Sequence, residues 1–248
     1  MKKRGIGKTL AALLFASFFG PAALSACSLD MVKEDGYTEG RYEVNEVFSS
    51  IEIDADGGVE LYLSYGAEFS VTYTESAQEQ ISFSVEDGTL KVEQRSDIVL
   101  MGYQSKRISV TVPSGNSVSS VAADVDGNFD CTVTGEYGSL NFETGGWLDA
   151  DLNVSASSVS LGARGAVRGT LVGSAEQLTV TSGGAMTLDG GNFSVVSAAL
   201  DCGGKLDFAL RCSDTLGVVC GGECDGVYYG DPAVTREIAG EDNLRKGE

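Results

Sequence analysis

The sequence predicts an all-β protein, a right-handed parallel β-helix (solenoid) with rungs of about 19 residues. Three observations predict it. Glycine recurs at Gly127, Gly146, Gly165, Gly184, Gly204 and Gly222, at spacings of 19, 19, 19, 20 and 18 residues, and a fixed period near 20 marks stacked repeats. On either side of each of these glycines, positions two, four and six residues away are mostly apolar or small, as in Leu140/Phe142/Thr144 before Gly146 and Leu148/Ala150/Leu152 after it. Such period-two alternation is the mark of a strand with one buried face. The composition agrees, with 33 Gly, 3 Pro and 42% hydrophobic residues in 248.

The chain opens with Lys2, Lys3, Arg4 and Lys8, then an apolar run from Leu10 to Phe19, then Leu24-Ser25-Ala26-Cys27. A basic start, a short apolar core and small residues before the cleavage point make residues 1–26 a secretory signal peptide. The Leu-Ser-Ala-Cys end resembles the bacterial lipobox, which implies that Cys27 becomes the lipid-modified first residue of the mature chain. The expected location is the extracytoplasmic face of a bacterial cell membrane, reached through the lipid. Losing four basic residues takes the formal charge from −19 to −23, so an acidic body would stand off from anionic headgroups. Residues 27–46 are polar and weakly patterned and read as a tether.

Residues 47–240 read as one domain. In its first half Ile51/Ile53, Val59/Leu61/Leu63, Phe69/Val71/Tyr73, Ile81/Phe83/Val85, Leu90/Val92 and Ile108/Val110/Val112 alternate, separated by Asp56-Gly57-Gly58, Glu86-Asp87-Gly88 and Pro113-Ser114-Gly115. This half is an irregular β layer or cap that closes the end of the solenoid, where an open edge would invite pairing with other chains. Residues 121–230 hold the repeats, each read as strand, glycine corner, strand and polar loop. The glycine is expected to supply backbone freedom at the corner. Stacked rungs would bury one continuous core with equivalent residues about 4.8 Å apart. An antiparallel sandwich with hairpins at the Gly-Gly pairs is the alternative. Residues 241–248 read as a tail.

Phe48-Ser49-Ser50-Ile51-Glu52-Ile53, then Val85-Glu86-Asp87-Gly88-Thr89-Leu90-Lys91-Val92, then Ile108-Ser109-Val110-Thr111-Val112-Pro113 are followed by the glycine rungs and by Val227-Tyr228-Tyr229-Gly230-Asp231-Pro232-Ala233-Val234. Over roughly residues 45–240 this order resembles the bacterial adhesin families of the auto-transporter adhesin head-GIN type. The corners depart from the usual Ser-Gly-Ser-Gly or Ser-Gly-Asp and read Gly-Gly, Arg-Gly and Asp-Gly. The resemblance implies an exported β-solenoid and brings no catalytic residues.

The chain has no His, which excludes Ser-His-Asp and Cys-His catalysis and His-bound zinc. Its negative charge argues against nucleic acid. With Cys27 lipidated, Cys131, Cys202, Cys212, Cys220 and Cys224 remain. Cys202 and Cys220 share a column on adjacent rungs and are the candidate disulfide, export permitting oxidation; the plainer reading is a pair of small core thiols. Asp124, Asp126 and Asp130, with Asp149 on the next rung, are candidates for weak calcium binding in a D-x-D-G-N-x-D stretch that has Gly135 where an EF-hand has its last Glu. A solvated acidic face is the larger expectation, with Arg168 relieving Asp149. No resident cofactor is expected.

Arg164, Arg168, Lys205 and Arg211 are the bases available to a polysaccharide-cleaving β-helix, but nothing singles out a carboxylate pair. Trp147, Tyr137, Tyr228 and Tyr229 are the aromatics able to stack on sugars or to cover rung ends. The leading reading is therefore not an enzyme. It is a lipid-anchored surface protein that presents an adhesin-like binding module to an unidentified ligand. A regulatory or envelope-stress-sensing lipoprotein that binds another membrane protein is the alternative, and a polysaccharide-acting enzyme comes third.

Overall fold

The computed structural model describes residues 39–44, 46–74, 81–94 and 106–248. None of them is helical. Cys27 and the signal segment lie outside the described residues, as does most of the segment read as a tether.

The repeat region is a parallel solenoid. Strands β8 (Val118–Val125), β9 (Phe129–Thr144), β10 (Leu148–Ala163), β11 (Val167–Ser182), β12 (Met186–Cys202), β13 (Leu206–Cys220) and β14 (Cys224–Tyr229) pair in parallel with their neighbours. The register carries the repeat into space: Leu148 lies beside Val167, Val167 beside Met186 and Met186 beside Leu206. Hairpins at the Gly-Gly pairs would have made these ladders antiparallel, so the sandwich alternative is excluded. Each of β9 to β13 serves two rungs. Along β10 the buried side chains are Leu148, Ala150, Leu152 and Val154, then Val159, Leu161 and Ala163. That change of parity marks a second corner, opposite the glycine corner. The core fills the space between the two faces, with Phe142, Leu161, Val180, Leu200 and Val218 each 1% exposed or less.

The N-terminal half is a cap threaded out of sequence order. Strands β2 (Ser50–Ala55) and β3 (Val59–Gly66) form a rung beneath β8 and β9. The later strands β6 (Thr89–Gln94) and β7 (Lys106–Pro113) form another rung outside them, parallel to β2 and β3. Antiparallel strands then cover that rung: β5 (Ile81–Glu86) on β6, β4 (Ser70–Thr74) on β7, and β1 (Glu39–Tyr42) on β4. The β5–β6 hairpin turns through Asp87 at φ 50° and Gly88 at φ 75°, the pair of left-handed residues that a tight hairpin asks for. Glu39–Tyr42, counted in the sequence reading with the tether, is therefore an edge strand. At the other end β15 (Ala233–Ile238) pairs with β13 and β16 (Arg245–Lys246) with β14, so part of the segment read as a tail continues the solenoid.

The glycine corners are glycine for a reason other than backbone freedom. Among the described glycines, positive φ occurs at Gly57, Gly88, Gly115, Gly135, Gly173 and Gly230, and at none of the corner glycines from Gly127 to Gly222. A Cβ on Gly203 would instead lie 2.4 Å from the carbonyl oxygen of Gly183 on the rung below. Corner backbones stack through Gly146 N–H to Gly127 O, Gly165 N–H to Gly146 O and Gly184 N–H to Gly165 O, at 2.7–2.8 Å. The residue preceding each Gly-x pair adds to this seal. Ser182 Oγ donates to Gly165 O and Ala185 O, and Cys202 Sγ and Cys220 Sγ make the same paired contacts one and two rungs on.

Candidate functional site

Outward side chains stand in columns, one per rung, because the register is unbroken across the glycine corners. On the face after the corner the column runs Arg107, Glu60, Asp130, Asp149, Arg168, Thr187, Asp207 and Asp225. Its two cations, and Arg245 from β16 beside it, sit where they relieve carboxylates. Arg107 donates to Glu60 at 3.0 and 3.1 Å, Arg168 to Asp149 at 3.2 Å and Arg245 to Asp225 at 3.0 Å. Asp130 has only carboxylates as register partners, Glu60 and Asp149. Partial burial, then Asp149 and Glu60, raise its carboxyl above the ordinary value.

On the face before the corner a second ladder is acidic over four rungs: Glu93, Asp54, Asp124 and Glu143. Burial, then Asp124, raises Glu143. Asp124, Asp126 and Glu143 line a shallow depression that also takes in Arg164.

These two ladders divide the candidate calcium residues. Asp124 and Asp126 belong to the depression before the corner, while Asp130 and Asp149 are register partners after it. The corner at Gly127 turns the chain between them, so seven residues that look like one loop serve two faces. Among the described residues no group of three or more carboxylates or thiols is gathered to hold a metal.

Cys202 and Cys220 are register partners, as the shared column requires, but both are free buried thiols, as are Cys131, Cys212 and Cys224. The Sγ atoms of Cys202 and Cys220 are turned to backbone carbonyls at the glycine corners. Burial raises Cys202, Cys212 and Cys131, and pushes the Cys224 thiol up to about 11. A thiol so placed is a poor nucleophile.

The aromatics divide into covers and one exposed platform. Tyr137 is buried, donates to Thr134 O at 2.9 Å and packs on Tyr65 at 5.8 Å. Tyr229 lies under the Arg211 guanidinium at 5.3 Å, and Tyr228 packs against the core. Trp147 is 43% exposed at a glycine corner. Lys205 pairs with Glu223 at 3.4 Å on the same edge of the solenoid.

Sequence reasoning missed a groove of about 760 Å³ along the second corner. Its register column is Glu136, Ser155, Ser174, Ser194 and Arg211: an acid, three hydroxyls and a base. The signal was blurred because rung length varies here. Strand β12 has 17 residues and β13 has 15, against 16 in β9, β10 and β11, and the register shifts fall at Thr170/Val172, Gly190/Ser194 and Val195/Ser197.

Comparison with known proteins agrees with this architecture. The family described as "Putative auto-transporter adhesin, head GIN domain" matches residues 48–232. A crystal structure of a "putative adhesin" from Bacteroides fragilis is similar at TM-score 0.65 and 15% identity, over 86% of this chain and 98% of that one. One from Parabacteroides distasonis has TM-score 0.56 at 15% identity, over 86% and 97%. One from Parabacteroides merdae has TM-score 0.52 at 15% identity, over 88% and 100%. No curated protein in the comparison matches. The chain belongs to the head-GIN adhesin family, a membership that implies a cell-surface or extracellular protein.

Proposed function

We propose that this member of the head-GIN family is a non-catalytic, lipid-anchored surface protein, held in the membrane through Cys27, that displays its solenoid as an adhesin-like binding module. The observation that carries the reading is the set of fixed outward columns. Backbone-bonded corners hold polar side chains at one rung per about 4.8 Å, and the second-corner groove runs across five such rungs. A rigid repeated surface binds an extended ligand without first ordering itself, which lowers the entropic cost of association. Lipid at Cys27 would leave that surface free to face outward.

Two measurements test it. Cells expressing the chain are labelled with a fatty acid and fractionated, and the Cys27→Ala variant is expected to lose both label and membrane association. A labelled, membrane-bound Cys27→Ala protein overturns the anchoring. Beads coated with the domain are then scored for attachment to mucin-coated surfaces and to intact bacterial cells; attachment no greater than that of albumin-coated beads overturns the adhesive role.

A further inference from the structure

The glycine-corner edge of the solenoid carries the column Asn128, Trp147, Ala166, Ala185, Lys205 and Glu223, one residue per rung. Two consecutive alanines leave a gap between Trp147 and Lys205. The result is a depression of about 300 Å³ lined by Trp147, Ala166 and Ala185 and flanked by Asp149, Arg168 and Thr187.

Trp147 is the only tryptophan of the chain, and it is 43% exposed. It stands outside the hydrophobic core, which begins at Leu148 beside it. Its backbone is fixed on both sides: its N–H donates to Asn128 Oδ1 at 3.3 Å and its carbonyl accepts from Phe129 N–H at 2.9 Å. The indole is therefore a mounted apolar plate rather than a side chain on a loose loop.

The polar groups beside it are solvent-facing. Asp149 and Arg168 pair at 3.2 Å with side chains 37% and 73% exposed. An ion pair that open to water contributes little to stability, so its oxygens and N–H groups can be re-partnered with little loss. Together they offer two acceptors and a fork of donors, and Thr187 on the next rung adds a hydroxyl.

We propose that this depression is a subsite for one pyranose ring of a neutral glycan. The inference rests on the adhesin-like reading and names its ligand class. The indole plate takes the apolar C–H face of the sugar. The Asp149 carboxylate accepts from vicinal hydroxyls, Arg168 donates to ring or hydroxyl oxygens, and the Ala166 and Ala185 methyls leave the room. Uronate and sulfated glycans are disfavoured because a formal charge of −19, more negative after leader removal, repels them.

The single tryptophan makes the test direct, because every change in indole emission reports on this site. The folded domain is titrated with cellohexaose, mannohexaose and chitohexaose, with polygalacturonate as the anionic comparison. A saturable blue shift with at least one neutral oligomer is expected. By calorimetry, Trp147→Ala should weaken that binding at least tenfold and Asp149→Asn about threefold or more, while Thr179→Ala, exposed on the face before the corner, changes nothing. Circular dichroism and denaturant unfolding establish that each variant is folded.

No emission change with any neutral oligomer, a change with polygalacturonate alone, or undiminished calorimetric binding by Trp147→Ala overturns the subsite. The bead assay separates the two levels. If Trp147→Ala beads attach as well as wild type, the subsite fails and the adhesive reading stands. If the oligomer binds but no beads attach, the reverse holds.

Discussion

Replacing Gly203 by alanine is expected to loosen the solenoid at one corner, whereas the same change at Gly191 is not. The added Cβ at Gly203 would sit 2.4 Å from Gly183 O and 3.1 Å from Gly183 C. Real Cβ atoms do not approach that closely, so the rungs must part locally by roughly half an ångström or more. Overpacking of this kind costs about 1–3 kcal/mol. The parting also stretches two corner bonds, Gly203 N–H to Ser182 O and Gly204 N–H to Gly184 O, both 2.8 Å. At roughly 1 kcal/mol for a net hydrogen bond, partly lost, the total comes to about 3 kcal/mol. Gly191 has nothing within 4 Å of its would-be Cβ and no positive φ. Alanine there should be neutral or stabilise by about 0.4–1 kcal/mol through the unfolded chain. Chemical unfolding followed by circular dichroism compares the midpoints, and for a chain of this size about 3 kcal/mol also corresponds to a drop of roughly 6–12 °C in Tm. Coincident midpoints for the two variants, or a lower one for Gly191→Ala, would refute the close-packing account of the corner glycines.

The inward columns should carry the stability. Leu200→Ala, at a site 1% exposed, is expected to cost ~2–5 kcal/mol, while exposed Thr179→Ala stays within about 0.5 kcal/mol; equal losses would mean that the two faces are misassigned. Cys202 and Cys220 should both alkylate when the protein is denatured without reductant, and resist alkylation when native at pH 8; a mass showing them crosslinked would overturn the thiol assignment. Asp130→Asn should raise Tm at neutral pH and leave it unchanged near pH 3. The folded carboxyl is raised, so the native state holds its proton more tightly than the unfolded chain. Stability therefore falls as pH climbs from the ordinary carboxylate value through the raised one, and the penalty stays at neutral pH. A stabilisation that persists unchanged at pH 3 would show that charge is not its source.

How much of this could be read from residues depends on what each pattern encodes. Alternation around a recurring glycine fixes which side chains point inward, so Phe142, Leu161, Val180, Leu200 and Val218 are all core. A constant period also fixes which residues become neighbours, and Cys202 beside Cys220 and Arg168 beside Asp149 follow from it. Alternation says nothing of stacking order. Ile51/Ile53 and Leu90/Val92 have the same pattern, yet the later pair lies outside the earlier one. Glycine identity does not distinguish freedom from lack of room; that needed the distance from Gly203 to the carbonyl below. The D-x-D-G-N-x-D stretch reads as one cluster because sequence spacing ignores the corner inside it. The groove column from Glu136 to Arg211 falls in the part of the rung where residues are inserted and deleted, so counting from the glycines drifts off register.

Threading the cap out of order makes one seam unlike the others. Rungs from β8 onward are joined to the next by continuous chain, but β2–β3 meets β8–β9 after an excursion through β4 to β7. That seam brings like charges together on both faces, Asp54 beside Asp124 and Glu60 beside Asp130, and the next seam repeats them, Asp124 beside Glu143 and Asp130 beside Asp149. Like charges directly opposite cost about 0.2–1 kcal/mol per pair. Across the first of these seams Ile51 meets Val121, and Leu61 and Leu63 meet Cys131 and Val133, all 4% exposed or less. Full burial of each aliphatic is worth about 1.5–3 kcal/mol, so the apolar contacts outweigh the repulsion and the cap stays docked. The margin is narrower than at Leu161 against Val180, where flanking Ser160 meets Thr179 and no carboxylates oppose each other. In a stack whose stability is a sum over neighbouring interfaces, the cap and the Gly127 rung are then the end that loosens first, and the rungs carrying Trp147 and the groove serines lie on the more stable side of both acidic seams.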